Sequence, residues 1–166
     1  MKNLDDLTVV IVTYRTSEKI LIDCLKSIDP SVKILIIENS DAFSYEKKIL
    51  SNFSNVEIKC SGENLGYGKG NNYGLKLVET KYALILNPDT ICEKTFFSNI
   101  VNVANEEEDF TIIGCQYLND KIFMPAGFFN HKKNMKFKKD FKKNNVNLKD
   151  LEWKIIYSLY NQYTNI

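Results

Sequence analysis

Histidine is almost missing from this sequence: His131 stands alone. That excludes zinc enzymes built on two or three imidazoles, and any Ser-His-Asp hydrolase that does not use this one residue. Cysteine is scarce and scattered. Cys24, Cys60, Cys92 and Cys115 form no CxxC pair, which argues against a zinc ribbon or a disulfide framework and fits a reducing compartment. Long apolar runs are absent as well. Leu7–Val12 (with Thr8 inside) and Tyr82–Leu86 are the longest, far below the roughly 20 residues that span a bilayer. Met1-Lys2-Asn3-Leu4-Asp5-Asp6 shows no basic segment leading into an apolar one, so no signal peptide is expected.

What is present is ordinary in bulk and uneven in detail. An apolar share of 44% and a charged share of 26% over 166 residues are those of a globular domain large enough for a core. The net charge of +1 hides an asymmetry. Residues 1–120 carry 12 basic and 18 acidic side chains, and residues 121–166 carry 10 basic and 3 acidic. The tail is therefore expected to meet different partners from the body.

Strand-like and helix-like segments alternate from the start. Leu7–Thr13 (LTVVIVT) reads as a buried strand. Ser17 is a fitting N-cap, Glu18 suits a first turn, and Ile20, Leu21, Cys24, Leu25 and Ile28 recur at helical spacing until Asp29-Pro30 stops them. Lys33–Ile37 is a second strand, Ser44–Phe53 a helix, and Val56–Cys60 a short strand. A glycine-rich stretch, Gly62–Gly74, leads into a helix ending near Thr80. Tyr82–Leu86 is the next strand, Glu93–Glu107 a helix, and Thr111–Cys115 a strand. Leu148–Tyr163 is expected to be helical, with Leu151, Ile155, Ile156, Leu159 and Tyr160 on one face and Trp153 as its core anchor. Short apolar strands separated by helices predict an α/β fold, a mainly parallel sheet with helices on both faces. Ligands of such sheets bind beyond the carboxyl ends of the strands.

Three strand ends carry polar groups. In LNPDT, residues 86–90, Asp89 follows a buried strand and could hold Mg²⁺ or Mn²⁺ against a diphosphate, since these ions accept one or two carboxylates and complete their shell with phosphate and water. A plain type I turn with Pro88 at its second position stays open on these residues alone. In GENLGYGKGNNYG, residues 62–74, four glycines from Gly66 onward permit close backbone approach, and Lys69 with a helix N-terminus favours anions. Neither a Walker loop nor a Rossmann fingerprint fits, because Gly70 follows Lys69 and the stretch lies far from the first strand. A flexible turn is the alternative. Glu38 and Asp41 after the second strand could accept hydrogen bonds from a ribose or a base, or simply make an Asx-type turn with Asn39.

In order and spacing, TVVIVTYRTSEKILIDCLKSI, ILIIENSD and ENLGYGKGNNYGLKLVETKYALILNPDT resemble the opening of the family 2 glycosyltransferases, particularly their rhamnosyltransferase-like branch. The likeness covers roughly residues 7–118 and is most specific over residues 63–90. It implies a GT-A fold, a Rossmann-like sandwich, and inverting transfer from a nucleoside-diphosphate sugar, UDP- or dTDP-linked, to a hydroxyl of a glycan or lipid-linked acceptor. Thr13, Tyr14 and Arg15 would line the nucleotide pocket, with Arg15 standing where the family usually has asparagine. Glu38 takes the place of a base-reading aspartate, and Asn64, Gly66, Lys69 and Asn72 fall near the diphosphate and sugar. Asp89 corresponds to the ligand of the divalent ion, Mn²⁺ or Mg²⁺.

The family's downstream acidic region, which supplies the general base, has no counterpart among Asp140, Asp150 and Glu152. The expectation is thus a chain truncated at its C-terminus: residues 1–124 as nucleotide-sugar-binding core and residues 125–166 as a basic loop and helix of an incomplete acceptor region. A binding module without turnover is the alternative. Residues 131–145 hold seven lysines around Phe137 and Phe141. They read as a solvated loop, with weak contact between Lys132–Lys143 and an anionic membrane surface as the functional alternative and no nucleic acid as partner. His131 reads as a surface residue beside this run. The expected location is cytoplasmic, peripheral at the inner membrane face. A related nucleotidyltransferase and a dinucleotide-dependent oxidoreductase are disfavoured, since no glycine follows the first strand.

Overall fold

The computed structural model describes residues 4–106 in full and, beyond them, the backbone of six short strands. After a 3₁₀ turn at Leu4–Asp6, the elements run β1 (Leu7–Thr13), α1 (Glu18–Ser27), β2 (Lys33–Glu38), α2 (Glu46–Asn52), β3 (Val56–Cys60), α3 (Gly66–Leu77), β4 (Tyr82–Ile85) and α4 (Phe96–Glu106). The remaining strands are β5 (Ile112–Gly114), β6 (Tyr117–Leu118), β7 (Phe123–Met124), β8 (Gly127–Asn130), β9 (Asn134–Phe137) and β10 (Ser158–Asn161).

One eight-stranded sheet has the order β3-β2-β1-β4-β10-β5-β8-β9, and β6 and β7 form a separate pair. The first four strands are parallel, and the pairings from β4 onward through β10, β5, β8 and β9 are antiparallel. The parallel half matches the expected α/β architecture, and the antiparallel half makes the whole sheet mixed. Two expectations for the tail are corrected. Ser158–Asn161, expected within a helix, is a strand paired on both sides. Asn134–Phe137, expected within a loop, pairs with β8. Trp153 and His131 lie outside the described residues, as do residues 132, 133 and 138–143, whereas Lys136 lies on β9.

Period-two alternation explains why β1 is buried throughout: each face meets a different layer. Leu7, Val9 and Ile11 join Leu21, Cys24 and Leu25 of α1, Ile49 of α2, and Phe97, Ile100, Val101 and Ala104 of α4 in one buried cluster. Val10 and Val12 face the other way and pack with Leu35, Ile37, Val78 and Ala83, where α3 lies on the sheet. Helices therefore cover both faces. Among the described residues, no helix is long and apolar enough to cross a membrane.

From Gly66 onward the glycine-rich stretch is itself a helix rather than the approach to one. Gly66 opens it with a φ of +74°, which glycine adopts without strain, and Asn64 Oδ1 accepts from the Gly66 N–H at 2.9 Å. Further along, glycines let the helix sink onto the sheet. A Cβ at Gly70 would lie 2.9 Å from Val12 Cγ1, and one at Gly74 only 2.5 Å from Val10 Cγ1.

Candidate active site

The chain runs outward from β1 to β2 and β3, then returns to place β4 on the other side of β1. Such a reversal leaves a crevice at the carboxyl ends of the two strands that diverge from it. A cleft of about 770 Å³ opens there. Tyr14, Arg15, Thr16 and Ser17 line it from the end of β1, Ile20 from α1, Tyr67 from α3, and Asn87, Pro88 and Asp89 from the end of β4.

Of the residues singled out in the sequence, Tyr14, Arg15 and Asp89 meet in this cleft. The Arg15 guanidinium lies 5.1 Å from the centroid of the Tyr14 ring, within cation–π range. Arg15 is the one non-glycine among the described residues with positive φ, at +52°. Asp89 is exposed, makes no ion pair among the described residues, and follows Pro88 in a turn closed by the Thr90 N–H on the Asn87 carbonyl at 3.2 Å. The turn reading and the ligand reading of NPD are compatible: the turn is what presents the carboxylate.

Thr13 and Glu38 sit elsewhere. Thr13 has no exposed surface and Glu38 is 3% exposed. Thr13 Oγ1 donates to Glu38 Oε2 at 2.6 Å, and Ser40 Oγ donates to Glu38 Oε1 at 2.7 Å. Both carboxylate oxygens are thus engaged behind the cleft wall, where they lock the ends of β1 and β2 together. Asn64, Gly66, Lys69 and Asn72 are exposed on and before the first turns of α3, outside the cleft lining.

Sequence reasoning gave no role to Tyr67 or Asn71 and read Asn39 only as a turn former. Tyr67 Oη donates to Asn87 Oδ1 at 2.9 Å, joining α3 to the Asp89 turn. Asn39 is buried, and its Nδ2 donates to the Gly66 carbonyl at 3.1 Å. Asn71 is buried too: its Nδ2 donates to the Tyr67 carbonyl at 2.9 Å, and its Oδ1 has no partner among the described residues. A polar residue facing the sheet from within a glycine-rich helix was the available signal. Beneath the turn, burial pushes the Cys24 thiol up to about 12, with neighbouring Cys92 adding to it, and burial pushes Cys92 up to about 11. Both are held as neutral thiols, suited to packing rather than attack.

Among the described residues, no group of three side chains could hold a metal by itself. Asp89 alone fits an ion that brings phosphate and water as its other ligands, the usual habit of Mg²⁺.

The sequence model of glycosyl transferase family 2 matches residues 8–158, nearly the whole chain and the whole of the cleft. The chain belongs to that family. A curated relative, the low-salt glycan biosynthesis hexosyltransferase Agl10 of Haloferax volcanii, is 28% identical over 120 residues, which is 70% of this chain and 38% of the relative. Among solved structures, S. aureus TarS (residues 1–349) in complex with UDP-GlcNAc superposes with a TM-score of 0.55 at 19% identity, over 64% of this chain and 32% of that one. The mannosyltransferase PcManGT of Pyrobaculum calidifontis, in complex with GDP-Man and Mn²⁺, gives a TM-score of 0.55 at 13% identity, over 66% of this chain and 35% of that one. These structural likenesses establish the GT-A fold. This family 2 chain spans about a third of the length of these relatives.

Proposed function

We propose that this chain binds a nucleoside-diphosphate sugar in the β1–β4 cleft and serves inverting sugar transfer to a hydroxyl acceptor in surface glycan or glycolipid synthesis. The observation that carries the reading is the meeting of Tyr14, Arg15 and Asp89 at the switch point of the sheet. Tyr14 offers an aromatic face to a base or ribose. The Arg15 guanidinium offers a forked cation to the diphosphate. Asn64, Gly66, Lys69 and Asn72 extend the donor-facing surface along α3. Thr13 and Glu38 support it from behind, holding the strand ends from which Tyr14 and Arg15 project. A divalent ion bound by Asp89 and the diphosphate would neutralise charge on the leaving group. The rhamnosyltransferase-like branch, a UDP- or dTDP-linked donor, a lipid-linked acceptor and a cytoplasmic, membrane-peripheral setting belong to the same proposal.

A second reading is favoured by one observation. Asp89 is the sole carboxylate among the described residues lining the cleft. One carboxylate cannot both hold an ion and deprotonate the acceptor. On this reading the chain is a nucleotide-sugar-binding module and turns nothing over.

Calorimetric titration with UDP, GDP and dTDP, with and without Mn²⁺, tests the donor site. Metal-assisted binding is expected for the wild type, and Asp89→Ala should remove its metal-dependent part. Unchanged Mn²⁺ dependence in that variant would refute Asp89 as ligand. Release of free sugar from UDP-GlcNAc or GDP-Man separates the two readings, since binding without turnover supports the module.

A further inference from the structure

Asp89 stands on a turn that is braced from two sides. From α1, Ser27 Oγ accepts from the Cys92 N–H at 3.0 Å, and the Cys24 thiol makes a long contact of 3.7 Å to the Asn87 carbonyl. From α3, across the cleft, the Tyr67 hydroxyl donates to Asn87 Oδ1 at 2.9 Å. Tyr67 is itself anchored at its base, because its carbonyl accepts from Nδ2 of buried Asn71. The link therefore runs from the buried face of α3, through Tyr67, to a residue two positions before Asp89.

We infer that Tyr67 is a positioning residue: its hydroxyl fixes the Asn87 amide and so sets the Asp89 carboxylate in register with whatever the α3 side of the cleft binds. The inference rests on the donor-site reading above and adds to it a coupling between the two walls of the site. The turn itself does not depend on this bond. Its backbone is closed by the Thr90 N–H on the Asn87 carbonyl, and Leu86 is tied by its N–H to the Val10 carbonyl at 2.9 Å. Loss of the hydroxyl thus leaves the fold in place and frees the side-chain end of the turn. The consequence falls on ion binding, because an ion shared between Asp89 and a diphosphate tolerates little displacement of either.

The test is Tyr67→Phe in the full 166-residue chain, titrated with UDP in the presence of Mn²⁺ and in the presence of a chelator. A net hydrogen bond of ordinary strength corresponds to roughly a three- to tenfold change in an equilibrium constant. The gain in UDP affinity that Mn²⁺ brings should shrink by about that factor, while affinity measured in chelator should stay within about twofold. Asn87→Ala should show the same loss, and the double variant little more than either single one, as expected of two groups acting through one bond. Equal weakening with and without Mn²⁺ would mean that Tyr67 touches the nucleotide directly. Additive losses in the double variant, or no loss at all, would equally overturn the coupling. If the wild-type chain binds neither UDP nor GDP under any condition, the donor-site reading falls and takes this inference with it.

Discussion

Arg15 holds its place in the cleft at the cost of backbone strain. Its φ of +52° belongs to the left-handed region, which a β-unbranched side chain enters at a cost of roughly 1 kcal/mol and glycine enters freely. Asparagine, the residue that the family resemblance leads one to expect at this position, tolerates the region better than most. The arginine is thus a local concession of stability to charge, and its guanidinium is kept in the cleft by the Tyr14 ring. Arg15→Gly is expected to raise the melting temperature by about 2–4 °C while weakening UDP binding roughly tenfold, through loss of a charge-assisted contact to the diphosphate. Differential scanning calorimetry and titration on the same preparation check both halves. A variant that is less stable, or binds UDP as before, would contradict the assignment. Glu38 illustrates the opposite arrangement. Its carboxylate is engaged by the Thr13 and Ser40 hydroxyls and 3% exposed, so it ties the ends of β1 and β2 together.

Helix α3 shows how one sequence feature carries two meanings at the scale of an element. Its glycines divide into those that face space and those that face the sheet. A Cβ at Gly68 would meet nothing within 4 Å, whereas at Gly74 it would stand 2.5 Å from Val10 Cγ1 and 3.0 Å from Ile37 Cγ1. Gly68→Ala should therefore stabilise the chain by about 0.5–1 kcal/mol, by restricting the unfolded backbone and favouring the helix. Gly74→Ala should destabilise it by about 1–3 kcal/mol, as overpacking against a rigid sheet does. Urea unfolding of the two variants provides the comparison, and equal effects would show that α3 does not lie on the sheet as described. The same helix marks the limit of what is legible in the sequence. β1, β2 and β4 are readable because strands buried on both faces are continuously apolar, and the order of the polar strand ends then points to Tyr14, Arg15 and Asp89. The glycine-rich first turns of α3 are hidden because glycine is a poor helix former, while its C-terminal end falls within the expected helix. Only the nearness of Val10, Val12 and Ile37, contacts far away in sequence, explains why it is helical with glycine on its inner face. Tyr67 and Asn71 are hidden with it, as is the bond from Asn39 to the Gly66 carbonyl. Ser158–Asn161 departs from its expected helix for a different reason. The spacing of Ile155, Ile156, Leu159 and Tyr160 fits a helical period, and a short apolar segment of that kind fits a strand pressed between two others equally well.

For the molecule as a whole, β10 is the joint. It lies between β4, the last of the four parallel strands, and β5, and runs antiparallel to both. It pairs with both: Leu159 stands opposite Leu84 on one side and Ile113 on the other. Residues separated from β4 by most of the second half of the chain thus cover what would otherwise be an open edge of the strand that delivers Asp89. An unpaired edge there would expose ladder groups to other chains as well as weaken the site. Proline within β10 removes one ladder donor and cannot be accommodated in a strand hydrogen-bonded on both sides. Leu159→Pro is therefore expected to destabilise the chain by at least about 1–3 kcal/mol, the usual penalty for a buried backbone group left unpaired. The melting temperature should fall by about 2–4 °C for each kcal/mol lost. Concentration-dependent association, measured by light scattering, should accompany the loss, because the freed edge belongs to β4 and β5 together. Leu159→Ala is the control: it keeps the backbone N–H in the ladder and should leave scattering unchanged. If Leu159→Pro melts and scatters like the wild type, the two halves of the sheet are held together by something other than this strand.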